Sequence, residues 1–407
     1  MQKVSISQAI DDRFLNTSDY AHPMPTGPGD VFELIRRGRA STRGEILDAT
    51  GLSRMTVSQR VDALLEERLI IEGPTGEPTG GRRPRSLSFN ATHSLTLAAA
   101  VDTTHARVAL TDLSGRILAS RDIEVAVEHG PSTTLDAIAS ATGQLLEATS
   151  TGLDRVCGMG ISIPGPVDPE TGRPSQPPIM PRWDAYPIVD HLQVTLPGVP
   201  VLTANDADAA AVGEHAVGFP HARALCLVKV STGIGTGIVI DGRAYRGADG
   251  GAGDIGHVRL HADVADICQC GATGCLAAVA GGRAVARRLT ELGVPARSGR
   301  DVGRLLADGD SVAAQVTQDA GRLVGEVMAT VVCVLNPEVV VVGGDLASAP
   351  LLAGIRETLY RLSLPRATRH MSLQLGSLGD DAPIVGLTRL VVDDRFSVAA
   401  VNARLGG

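Results

Sequence analysis

Aromatic side chains are nearly missing from this chain: one Trp, four Tyr and five Phe in 407 residues, or 2%. Its cores must therefore be built from Ala, Val, Leu and Ile. Lysine is scarcer still. Of 37 basic residues only Lys3 and Lys229 are lysine, a bias that reads as codon usage. No uncharged apolar run reaches the roughly 18–20 residues of a membrane span, which excludes a transmembrane helix. The opening MQKVSISQAIDDRF has no apolar h-region, so no secretory signal is expected and a cytoplasmic location follows. Six cysteines are too few for a dense disulfide framework; in a reducing compartment, clustered cysteines point to metal.

What remains is an ordinary globular composition, 43% hydrophobic and 20% charged, which excludes a wholly disordered chain. The length suggests two or three domains. The net charge of −8 conceals an asymmetry, because residues 31–90 carry ten Arg against eight acids while 91–407 are acidic. A mildly basic front on an acidic body suggests that the front meets a polyanion.

Residues 1–30, rich in Pro and Gly, read as a flexible tail. Helical patterns follow at 31–38, at 42–49 with Ser41 as cap, and from a Ser53 cap to about Arg68. Strands are expected at 69–72 and 86–89. Three helices and a strand pair, with Gly51 in the inter-helix turn, match a winged helix-turn-helix over 31–90; a plain three-helix bundle is the alternative. Facing away from the Val57, Val61, Leu64 stripe are Ser53, Arg54, Thr56, Ser58, Gln59 and Arg60. Arg54, Gln59 and Arg60 can read base edges, and the three hydroxyls suit phosphates.

From Leu95 onward the pattern becomes α/β. Strands are expected at 95–102, 107–112, 116–120, 157–165, 199–206, 224–240 (two around a Gly-rich turn) and 338–344. Helices are expected at 134–148, 207–217 and 311–334. Strands first in a meander and then alternating with helices predict two lobes with a duplicated layout. Trp183 and Tyr186 read as packing, and Cys157, Cys226 and Cys333 as buried core.

The sharpest chemical signal is His257 followed by Cys268, Cys270 and Cys275, four ligands within 19 residues. That set suits a closed, structural tetrahedral Zn(II) site, with Gly271 and Gly274 allowing the tight turns. Asn205 and Asp206 stand where a strand ends and a helix begins, a place suited either to binding hydroxyls or to capping the helix.

The segment GHVRLHADVADICQCGATGC resembles the zinc signature of the ROK family of repressors, open reading frames and sugar kinases. GISIPGPVD, ANDADAAAVGE, GGAGDIGH and LNPEVVVVGGDL resemble further motifs of that family, so the resemblance spans about 95–407. It implies an actin-like, sugar-kinase-like body with a first lobe of about 95–204 plus a C-terminal helix, 386–404, and a second lobe of about 205–385. It also implies sugar contacts from Asn205, Asp206, Asp254 and His257, with His257 serving both zinc and sugar. The wing phrase containing Arg82 and Arg83 resembles the family's DNA wing, suited to a narrow minor groove.

The departures matter too. Family kinases carry Asp-x-Gly-Gly-Thr around the ATP phosphates. Here the stretch is Asp102-Thr103-Thr104-His105-Ala106, so both glycines and the final Thr are lost. Asp206 is then a vestigial base and the chain no enzyme. The family's Glu before Gly-His is Asp254, and a second expected Glu is Ala277. The resulting expectation is a sugar- or sugar-phosphate-responsive regulator of operator DNA, dimeric or tetrameric and without membrane contact. The alternatives are a sugar kinase with a fused DNA-binding domain and a regulator sensing a protein partner.

Overall fold

The computed structural model describes residues 27–75, 85–260 and 266–406. Two units are distinct: Met1–His93 with Asp394–Gly407, and Ser94–Asp393.

The first unit holds helices α1 (Pro28–Arg36), α2 (Arg43–Thr50) and α3 (Arg54–Glu66) and an antiparallel ribbon of β1 (Ile70–Thr75) and β2 (Arg85–Phe89). Val57, Val61 and Leu64 bury the inner stripe of α3 beneath Val31, Phe32 and Ile35 of α1. Gly51, with φ of 66°, closes α2 in the left-handed conformation that favours glycine. The cap of α2 is Thr42, which accepts from the Glu45 amide at 3.2 Å. The expected cap, Ser41, instead donates to the Glu45 carboxylate. The expected tail stops short of residue 30, because Pro28 starts α1 at a position that needs no N–H donor and Asp30 accepts from the Gly27 amide.

The stretch 386–404, expected as one helix on the first lobe, is two. Ser397 caps a separate helix, Val398–Leu405. Asn402 on it accepts from the Gly29 amide at 2.7 Å, so this last helix docks on α1. Three of the five phenylalanines, Phe32, Phe89 and Phe396, meet here with ring centroids 5.7 and 6.3 Å apart. Aromatic area is thus concentrated where the core is smallest.

The second unit contains two five-stranded sheets of identical topology. The first runs β5 (Ile117–Glu124), β4 (His105–Asp112), β3 (Leu95–Val101), β6 (Val156–Ile163), β7 (Val201–Asn205). The second runs β10 (Arg243–Ala244), β9 (Ile234–Ile240), β8 (Ala224–Val230), β11 (Val339–Gly343), β12 (Ser372–Leu375). In both, an antiparallel meander comes first and two parallel strands follow, as the expected duplication requires. Helix α4 (Pro131–Ala148) buries Leu135, Ile138 and Leu145 on the first sheet, and Ser311–Leu335 buries Val324 and Met328 on the second. Helix α5 (Asp206–Gly218) follows β7 directly. Trp183 is fully buried and donates to the Val127 carbonyl, a packing role. Cys226 is buried and Cys157 half-buried, but Cys333 is exposed, against expectation. Its helix turns that one position of a largely apolar run outward. Among the described residues no helix is long and apolar enough to cross a membrane.

Candidate functional site

The two sheets present equivalent turns to each other. The β3–β4 turn carries Asp102 and Thr103, and the β8–β9 turn carries Ser231 and Thr232. The Thr103 and Thr232 hydroxyls lie 2.8 Å apart, closing the stretch where Asp-x-Gly-Gly-Thr would leave room for phosphates. Lys229, on the last turn of β8, sends its ammonium between two carboxylates: Asp102 Oδ2 at 3.0 Å and Asp206 Oδ2, also in hydrogen-bond contact. Burial opposes the charge on Lys229, but the Asp206 and Asp102 carboxylates overcome it and hold its pKa above the ordinary lysine range. Burial likewise pushes Asp102 upward, yet the Lys229 ammonium prevails and holds it at about 2.

Helix α5 sets the height of this floor. Asn205 is its N-cap, accepting from the amides of Ala207 (2.9 Å) and Asp208 (3.1 Å) and donating to the Gly165 carbonyl. Most of its capacity is therefore spent on the cap. Asp206 Oδ1 accepts from the Ala207 amide at 2.8 Å. The helix lies so close to β9 that a Cβ at Gly237 would stand 2.1 Å from the Ala207 carbonyl oxygen. The glycine-rich stretch 231–237 thus serves helix packing at this position. Gly237→Ala should lower stability by about 1–3 kcal/mol through overpacking. Urea unfolding checks this, and an unchanged midpoint would mean that α5 can retreat freely.

A cavity of about 430 Å³ opens above, within the size range of small-molecule sites. Asn205, Asp206, Asp254 and His257 all line it, so the structure brings the four expected sugar contacts to one space. Ala277 lines it as well, where a carboxylate was expected and a methyl stands.

At its rim, His257 Nδ1 and the thiols of Cys268, Cys270 and Cys275 lie within 4.8 Å of one another. Cys270 and Cys275 are 3.7 Å apart and Cys268 is 3.6 Å from the imidazole. Tetrahedral zinc with ordinary bond lengths requires S···S of about 3.8 Å and S···N of about 3.6 Å. The donor set fits zinc and leaves no protein ligand missing. Nδ1 faces the thiols, which leaves Nε2 of His257 for the cavity.

In the first unit, Ser53 caps α3, accepting from the Thr56 amide, and its hydroxyl also meets that of Thr56. Ser58 donates to Asp62. Arg54 and Gln59 are exposed, whereas Arg60 is half-buried. Arg82 and Arg83 lie outside the described residues. Met55, 69% exposed beside Arg54, was not anticipated.

Three residues of the second unit also escaped the sequence reading. Lys229 was visible as one of two lysines but carried no motif. Thr103 was read only as part of a lost loop. Asp208 is buried at 4% exposure and its Oδ1 has no hydrogen-bond partner; two residues beyond Asp206, it gave no sign of burial.

Paired lobes of one topology with a ligand-sized cleft between them define a protein of the actin and sugar-kinase class. Residues 97–394 match the ROK family, to which the chain belongs. The xylose repressor of Bacillus subtilis is 27% identical over 364 residues, spanning 88% of this chain and 93% of that protein. A crystal structure of a ROK family transcriptional regulator, a homologue of the E. coli MLC protein, superposes with a TM-score of 0.76 at 25% identity, covering 93% of this chain and 98% of that one. A ROK glucokinase from Streptomyces griseus, solved with glucose and AMPPNP, gives 0.65 at 27% identity, covering 73% and 99%.

Proposed function

We propose that this protein is a sugar-responsive DNA-binding transcriptional regulator, a cytoplasmic repressor of carbohydrate genes that works as a homodimer or tetramer. One observation carries the reading: a single cavity gathers Asn205, Asp206, Asp254 and His257 in a chain that begins with three helices and a ribbon. Relatives named as repressors align with nearly the whole chain, including its front, whereas the glucokinase covers the body alone.

In this reading Asp206, Asp254 and the Nε2 of His257 hold sugar hydroxyls, and Asn205 mainly fixes the helix beneath them. Zinc held by His257, Cys268, Cys270 and Cys275 would supply a rigid cross-link and no reaction chemistry. The first unit acts as a winged helix-turn-helix, with α3 in the major groove and Arg54 and Gln59 at base edges. Ser53 and Thr56, committed to the cap, present the helix N-terminus to phosphate. The body does not phosphorylate: Thr103 and Thr232 occupy the phosphate turn and Asp206 is already engaged by Lys229.

The test is selection of bound fragments from genomic DNA at physiological salt, with and without a panel of sugars. A palindromic site whose affinity changes 5- to 150-fold with one sugar is the expected result. Arg54→Ala should cost about 1–3 kcal/mol at that site and relax the preference at one base pair. ATP consumption with any hexose, or DNA binding that no sugar alters, contradicts the reading.

A further inference from the structure

The floor of the cleft has a charge problem that Lys229 solves. Asp102 leaves the first sheet and Asp206 starts α5, and their side chains, 10% and 15% exposed, converge on one point. Two carboxylates withdrawn from water can face one point only with a cation between them. In a chain that uses arginine for nearly every positive charge, lysine stands here. The reason is steric and electronic. An ammonium is a compact point charge that fits between two single oxygens, whereas guanidinium is a wide planar fork suited to one carboxylate edge-on.

Divalent cations such as Mg²⁺ or Mn²⁺ seek the same surroundings: converging carboxylate oxygens beside a phosphate-sized turn. We propose that Lys229 is a built-in replacement for such a cation, and that it makes the cleft a site for an uncharged sugar bound without a metal–nucleotide partner. The ammonium fills the place between Asp102 and Asp206, and the Thr103–Thr232 hydroxyl pair closes the turn beside it. Asp206, tied to Lys229 and to the Ala207 amide, keeps only spare lone pairs, which can accept a sugar hydroxyl but are poorly placed to take its proton. The assignment of a sugar rests on the function proposed above; the exclusion of the cation does not.

The test is Mn²⁺ binding to the zinc-loaded, full-length protein, read by electron paramagnetic resonance. The wild type should take up no Mn²⁺ at the cleft. Lys229→Met removes the ammonium at similar volume and should bind one Mn²⁺, because each oxygen need move only about 1 Å to reach metal distance. Adding Asp102→Asn should weaken that binding at least tenfold. The same ions should raise the melting temperature of Lys229→Met and leave the wild type unchanged. If the methionine variant does not fold, Lys229→Gln, which retains two N–H donors, carries the comparison. Wild-type protein binding Mn²⁺ as tightly as the variants, or folded variants that gain none, overturns the proposal. Sugar binding is scored separately, so a failed sugar screen beside a gained metal site sinks the function and leaves this inference standing.

Discussion

A Cys275→Ser protein should lose its zinc and, with it, at least thirtyfold in sugar affinity, about 2 kcal/mol. The reasoning starts from position. Cys275 is fully buried, sits at the N-cap of the helix Leu276–Ala280, and bridges to Arg259; the next amide, Leu276, donates to the Val258 carbonyl. One residue therefore joins the thiol cluster to the segment bearing His257 and to the cavity wall at Ala277. A serine hydroxyl is a poor ligand, and the three remaining donors would be left close together without the ion that draws them in. The His257 ring would then lose the bond that fixes its orientation, and the cavity would lose a preorganised donor. Metal analysis should fall from about one zinc per chain to none, and calorimetry should show the weaker sugar binding. Full sugar affinity in a metal-free variant would mean that the cluster only guards the loop.

Much of this was legible because the signals were local. The body strands are apolar runs punctuated by turns, and β3, β6, β8 and β11 fall where those runs lie. The zinc donors share 19 residues, so spacing alone assembled them. The segment around Lys229 was equally readable as a strand, but its ion pair with Asp102 spans 127 positions and exists only because two similar sheets face each other. The composition had already singled the residue out, yet nothing in the neighbouring sequence distinguishes a buried bridging lysine from a stray one. Helix ends failed for the opposite reason. Pro28 and Ser397 are local signals with two meanings, since Pro opens helices as well as ending them and Ser caps them as well as riding on them. Docking on α1 decided the second case.

Asp208→Asn should make the protein more stable above neutral pH, by an amount approaching 4 kcal/mol before relaxation. Burial pushes the Asp208 carboxyl up to about 7; Arg246 opposes this weakly, and Asp206 and Asp254 add to it. Its folded value thus exceeds the unfolded one near 3.8. Between those values the folded state holds a proton that the unfolded chain has released, so stability falls as pH rises from about 4 to 7 and stays low beyond. Asparagine has nearly the same shape and cannot ionise. The two proteins should be equally stable near pH 4, diverge through pH 6, and differ most at pH 8, as guanidinium unfolding at three pH values would read. Parallel profiles would mean that water or Arg246 already pairs the acid. Divergence would show that the chain tolerates a costly group directly behind its ligand floor. The physical consequence is local: a protonated Asp208 adds no negative charge beside Asp206. Lys229 then has two carboxylates to balance in place of three, and ionisation of Asp208 above pH 7 would load the floor with a charge that nothing beside it offsets.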